Sequence, residues 1–132
     1  MNQEELIEKI LTEARTIAVV GLSPKRHRAS YIVSEYLKEH GYNIIPVYPG
    51  EKEILGEKVY ERLSDIKEKI DVVLIFRRSE EVLSVVQEAI KLKPKYIWMQ
   101  LGITNKEAEE LARKNGIEVV SNRCMKMEHS AL

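Results

Sequence analysis

The run Thr16–Val20, TIAVV, constrains this chain more than any other stretch, because after its first residue it offers no polar face. A strand with one wet side alternates apolar and polar residues, whereas an unbroken β-branched run is buried on both faces, as in a parallel sheet. A parallel sheet requires crossover connections, and its two faces are covered by helices. At Gly21 the strand must turn sharply and let its backbone approach something closely. Lys25, Arg26 and Arg28 follow, and a helical pattern begins near Ala29 or Ser30. A strand, a glycine turn, cations and a helix N-terminus together make a phosphate-binding arrangement.

The same alternation runs through the chain. Leu6, Ile7, Ile10 and Leu11 predict a first helix over residues 3–14, packed on the domain that follows. Tyr31, Val33, Tyr36 and Leu37 predict a second helix, closed at His40-Gly41. NIIPVY at 43–48 reads as a strand that Pro46 shortens or bulges, and 56–60 as a brief further strand. A short helix is expected over 63–70, a buried strand over 71–76 and a helix over 80–92. Strands at 96–100 and 117–120 flank a helix at 105–115, with a turn and a short helix closing the chain. The expected architecture is one α/β domain over residues 1–132, a doubly wound parallel sheet of five to six strands with flanking helices.

Charge narrows the function. Lys and Arg number 21, as do Asp and Glu, so the basic bias of a nucleic-acid or membrane surface is missing and cationic character is local. With the single Cys124 no intrachain disulfide forms, which fits a cytoplasmic location. No apolar stretch reaches membrane-spanning length.

In open parallel sheets, ligands collect beyond the carboxyl ends of the strands where strand order reverses. Four strand ends meet that condition: Gly21-Leu22-Ser23, Val47-Tyr48-Pro49, Phe76-Arg77-Arg78 and Gln100-Leu101-Gly102. A nicotinamide dinucleotide site normally has three spaced glycines and an acid after the second strand. Here Gly21 has no such partners, and Tyr48-Pro49 stands where the acid belongs. Lys25, Arg26, Arg28, Arg77 and Arg78 suit a ligand richer in phosphate, such as coenzyme A with its pyrophosphate and 3′-phosphate. One of the arginines at 77 and 78 is expected to pair with Glu80 or Glu81.

The motifs AVVGLSPKRHRAS, YLKEHGYNIIPVYPG, ILGEKVY, DVVLIFRR, IWMQLGI and RCMKMEH stand in that order over residues 15–132. In them the chain resembles the stand-alone CoA-binding protein family, whose domain is similar to the CoA-binding domain of the succinyl-CoA synthetase α subunit. The resemblance implies a Rossmann-like fold holding coenzyme A or an acyl-CoA at these strand ends. It assigns Gly21, Ser23, Lys25, Arg28 and Ser30 to the phosphates, with Leu22 among the cofactor-binding residues. Val47, Tyr48 and Pro49 would surround the nucleotide, Phe76, Arg77 and Arg78 would form the opposite wall, and Gln100 and Gly102 would lie nearer the pantetheine. The family usually carries Asn where Tyr48 stands and Asp where Asn122 stands.

Three functions remain open on these residues: a non-catalytic CoA-binding or regulatory module, a small enzyme acting on acyl-CoA, and an NAD(P)-binding oxidoreductase-like protein. Independent ligase activity is not expected, because the synthetase relatives use a phosphohistidine in another domain. A homodimer and a separate protein partner are equally open. Cys124 and His129 invite a thiol–imidazole reading; a closing turn with an Arg123–Glu128 ion pair is the plainer one. A mixed disulfide between Cys124 and the pantetheine thiol is a third. His27 is expected to face solvent and His40 to meet carbonyls at its helix end.

Overall fold

A computed structural model describes all 132 residues. Helix α1 (Gln3–Glu13) starts at a capping box, where the Asn2 carboxamide accepts from the Glu5 N–H at 2.8 Å. Strand β1 (Thr16–Val20) follows, then α2 (Ala29–Glu39) and β2 (Asn43–Val47). A two-residue hairpin, β3 (Glu53–Ile54) with β4 (Glu57–Lys58), leads to a 3₁₀ turn at Leu63–Asp65. The chain then runs through β5 (Val72–Ile75), α3 (Val82–Ile90), β6 (Tyr96–Met99), α4 (Lys106–Lys114), β7 (Glu118–Val120) and α5 (Met125–Ser130). No helix is long and apolar enough to cross a membrane.

Five strands form one parallel sheet in the order β2-β1-β5-β6-β7, the Rossmann-like doubly wound arrangement expected. Strand order reverses between β1 and β5. The Thr16–Val20 run is buried as expected: Ile17 to Val20 are all inside, with side chains on both faces. Ile17, Val19, Leu74 and Trp98 pack under α1, α2 and α5, while Ala18, Val20, Ile75 and Met99 pack under α3 and α4.

Three local expectations need correction. The brief strand at 56–60 is a hairpin plus one parallel bridge, Val47 with Tyr60 on the outer side of β2. The third strand of a dinucleotide-type sheet is thus reduced to a single residue. Pro46 neither shortens nor bulges β2, which stays in register with β1 along its whole length. The Pro46 carbonyl accepts from the Tyr60 N–H at 2.9 Å, and the imide nitrogen points the same way, outward. The ladder with β1 therefore loses no donor. The helix expected over 63–70 is only the three-residue turn, although Leu63, Ile66 and Ile70 are all buried.

The starts of β1 and β5 are tied by Asp71, whose Oδ2 accepts from the N–H groups of Arg15 at 2.9 Å and Thr16 at 3.0 Å. Burial pushes its pKa up, but those N–H groups and the cations of Lys95 and Lys69 push harder, leaving it below the usual range. A depressed folded pKa gives stability that is present above the unfolded value and is lost as pH falls through the folded one. Asp71→Asn is therefore expected to lower stability by about 1–2 kcal/mol at neutral pH. Urea unfolding should show that deficit shrinking as the buffer is acidified below about pH 4, where the wild-type carboxylate is also losing its charge.

Candidate functional site

Beyond the carboxyl ends of β1 and β5 a cleft of about 810 Å³ opens, at the reversal of strand order. Gly21 forms part of its wall with φ +87°, and a Cβ there would stand 2.3 Å from the Phe76 carbonyl oxygen. Only glycine lets the ends of β1 and β5 run this close. The loop from Gly21 to α2 is held by its own hydroxyls. Ser30 Oγ accepts from the Ser23 N–H at 3.0 Å, and Ser23 Oγ accepts from the Lys25 N–H at 3.1 Å.

The entrance to α2 differs from those of α1 and α4. Asn2 and Asn105 cap those two with side-chain oxygens, whereas Arg28 stands at the cap position of α2 and makes no such bond. The N–H groups of Ala29 and Ser30 are unpaired within the chain, and both residues line the cleft. Lys25 and Arg28 are exposed beside them with no carboxylate in ion-pair range. Helix dipole, open N–H groups and two uncompensated cations give this side of the cleft a positive field.

The opposite wall is built differently. Arg77 Nη2 lies 2.7 Å from Glu81 Oε2, and Arg78 Nε lies 3.1 Å from Glu81 Oε1, so one carboxylate holds both arginines. The Arg77 hydrogen bond foremost, with the charges of both arginines, holds the Glu81 pKa below its ordinary value. One arginine was expected to pair here; both do, and Arg78 Nε also lies 3.9 Å from Glu80 Oε1. Ser79, Ala29 and Ile103 line the cleft without having been singled out as site residues, and Glu80 and Glu81, expected only as ion-pair partners, line it too. The loop after β6 is pinned to this wall, since the Thr104 N–H donates to Ser79 Oγ at 3.1 Å and Asn105 Nδ2 to the Ser79 carbonyl at 2.9 Å.

Of the residues singled out beforehand, Gly21, Ser23, Lys25, Arg28, Ser30, Tyr48, Phe76, Arg77, Arg78 and Gly102 share this cleft. Val47 and Pro49 instead line a side pocket of about 160 Å³, which shares Gly21, Tyr48 and Arg77 with the cleft and is edged by Arg62 and Glu88. Leu22 is fully buried in the core under α1 and α2 and lines neither cavity. Gln100 also turns inward: it is 5% exposed, and its Oε1 accepts from the Met125 N–H at 3.3 Å, at the start of α5. Asn122, with φ 58°, accepts from the Gly102 N–H at 2.7 Å, in a left-handed conformation that Asn tolerates better than most residues.

The closing segment follows the plainer reading. Arg123 pairs with Glu128 at 3.3 Å and with Glu4 of α1 at 2.8 Å. Cys124 packs against the core and is absent from the cleft wall. The His129 Nδ1 is engaged by the Tyr36 hydroxyl at 2.8 Å. Burial foremost, and the neighbouring His40, lower the His129 pKa. Those contacts give Cys124 no imidazole base. The His40 Nδ1 meets the Tyr36 carbonyl at 2.7 Å, in the helix-end role expected of it.

A family model described as a CoA binding domain matches residues 15–130. The uncharacterized protein YneT of Bacillus subtilis (strain 168) is 39% identical over 124 residues, spanning 94% of this chain and 92% of its own. A solved structure, a hypothetical protein from Pyrococcus horikoshii OT3, is 43% identical and superposes with a TM-score of 0.95, covering 99% of this chain and 92% of that one. The ADP-forming acetate–CoA ligase of Methanocaldococcus jannaschii is 26% identical over 125 residues. That match takes in 89% of this chain and 18% of the ligase.

Proposed function

Since the chain belongs to the CoA binding domain family, we propose that its cleft holds coenzyme A or an acyl-CoA at the carboxyl ends of β1, β2 and β5, as a binding or regulatory module without chemistry of its own. The observation that carries it is the α2 entrance, where the free N–H groups of Ala29 and Ser30 and the unpaired Lys25 and Arg28 face one cleft. Such a group of donors fits a pyrophosphate. The side pocket beyond Tyr48, with Val47 and Pro49, offers the adenine an apolar edge next to the phosphates.

The non-catalytic reading is supported by how the polar side chains are used. The Ser23 and Ser30 hydroxyls accept backbone N–H groups of the loop, and the remaining charged groups are guanidinium, ammonium or paired carboxylate. The cations bind and orient phosphate, and none of these groups is set to attack a thioester.

Calorimetry tests the reading. Wild-type protein is expected to bind CoA more tightly than dephospho-CoA or NAD. Lys25→Ala and Arg28→Ala should each weaken CoA binding by roughly 1–3 kcal/mol, the range of a charge-assisted hydrogen bond. Equal affinity for CoA and NAD, or full affinity in the double variant, would overturn the assignment.

A further inference from the structure

The two cationic walls of the cleft are in different states. Lys25 and Arg28 carry no counter-charge, whereas Arg77 and Arg78 share the Glu81 carboxylate. Glu81 occupies the cap position of α3 yet makes no capping bond, and the arginines are the only partners of its side-chain oxygens. Turning that side chain away therefore leaves the helix start intact. Its two oxygens already sit on guanidinium donors as phosphate oxygens would, so an incoming anion meets a competitor rather than open donors.

We propose that Glu81 is a charge gate, a built-in anion that reserves Arg77 and Arg78 for a ligand whose phosphate can displace a carboxylate from both. This rests on the reading of the cleft as a CoA site and adds how that site selects among anions. A ligand bearing one weak negative charge gains little by the exchange, because it replaces an ion pair with an equivalent one. A phosphate dianion presents more charge and three oxygens to the same two donors, so the exchange runs in its favour. The α2 entrance needs no displacement and accepts phosphate first; the gated wall then completes the grip. Arg77 is placed for this by Gly21, since its Cδ lies 3.2 Å from where a Gly21 Cβ would stand.

The test is calorimetric titration of wild type, Glu81→Gln, Arg77→Ala/Arg78→Ala and the triple variant with CoA and with inorganic pyrophosphate. Glu81→Gln is expected to bind CoA roughly three- to tenfold tighter, the scale of one or two exposed ion pairs, and that gain should vanish when the arginines are absent. If wild type binds CoA and Glu81→Gln binds it equally or more weakly, Glu81 positions the arginines instead of competing for them. The gate is then overturned while the CoA reading stands. If wild type fails to bind CoA, the CoA reading falls and pyrophosphate decides the gate: tighter binding in Glu81→Gln upholds it, and an unchanged affinity overturns it.

Discussion

Replacing Gly21 with alanine is expected to lower stability by about 2–4 kcal/mol and to abolish ligand binding at the cleft. Two costs add. The residue sits at φ +87°, where an L side chain is strained, and the new methyl would lie 2.3 Å from the Phe76 carbonyl oxygen. That oxygen cannot step aside alone. The Phe76 N–H donates to the Val20 carbonyl at 2.9 Å, and the Gly21 N–H donates to the Val47 carbonyl at 3.0 Å. Relief would have to move the ends of β1, β2 and β5 together, and with them Tyr48 and Arg77. Gly116→Ala provides the matched control: its φ is +76° and nothing lies within 4 Å of its added Cβ. That variant should show the backbone cost alone, about 1 kcal/mol. Guanidinium unfolding of both proteins checks the argument. Equal losses would mean the Phe76 contact is not what fixes glycine at this turn.

Trp98→Ala is expected to be the most destabilising change in the core, about 3–5 kcal/mol. The indole is fully buried on the α1–α2–α5 side of the sheet, and its Nε1–H donates to the Arg123 carbonyl at 2.8 Å. It thus fills volume and also fastens the segment that leads into α5. Trp98→Phe separates the two roles, keeping an aromatic ring but leaving the Arg123 carbonyl without its donor. Hydrogen exchange of the phenylalanine variant should speed up selectively at residues 124–130, with the strand amides of β1 and β5 little changed. Uniform acceleration across the sheet would show that filling volume is all the indole does there.

The fold was readable because its strands are buried on both faces and therefore spell unbroken apolar runs rich in β-branched residues, as Ile17–Val20 and Val72–Ile75 do. Between β2 and β5 that signal fails. Leu63, Ile66 and Ile70 have helical spacing and are all buried, but this connection has to reach from the end of β2 to the start of β5. An extended path with one 3₁₀ turn covers that distance, and Ile66 accordingly has ψ near 128°. The candidate site was legible where a strand end itself fixes the backbone, as at Gly21, or aims the side chain, as at Arg77. It was obscure where a turn decides. Gln100 looks like a polar strand end but is drawn inward by the Met125 N–H, and Leu22 follows its apolar nature into the core. The sharing of Glu81 by two arginines depends on the 3₁₀ turn at Ser79–Glu81, which brings its carboxylate back over both.

Pro46 has a consequence for how these molecules behave when crowded. A sheet that ends in an unpaired strand offers a template on which a neighbour's chain can add, the first step of edge-to-edge aggregation. Along the rim of β2, Tyr60 already takes the Pro46 carbonyl and the Tyr48 N–H, and the pyrrolidine ring removes the donor that would stand just before them. An intruding strand finds no continuous row of partners there. One imino acid and one bridging tyrosine thus let the chain do without a full third strand and still keep that border closed to its neighbours.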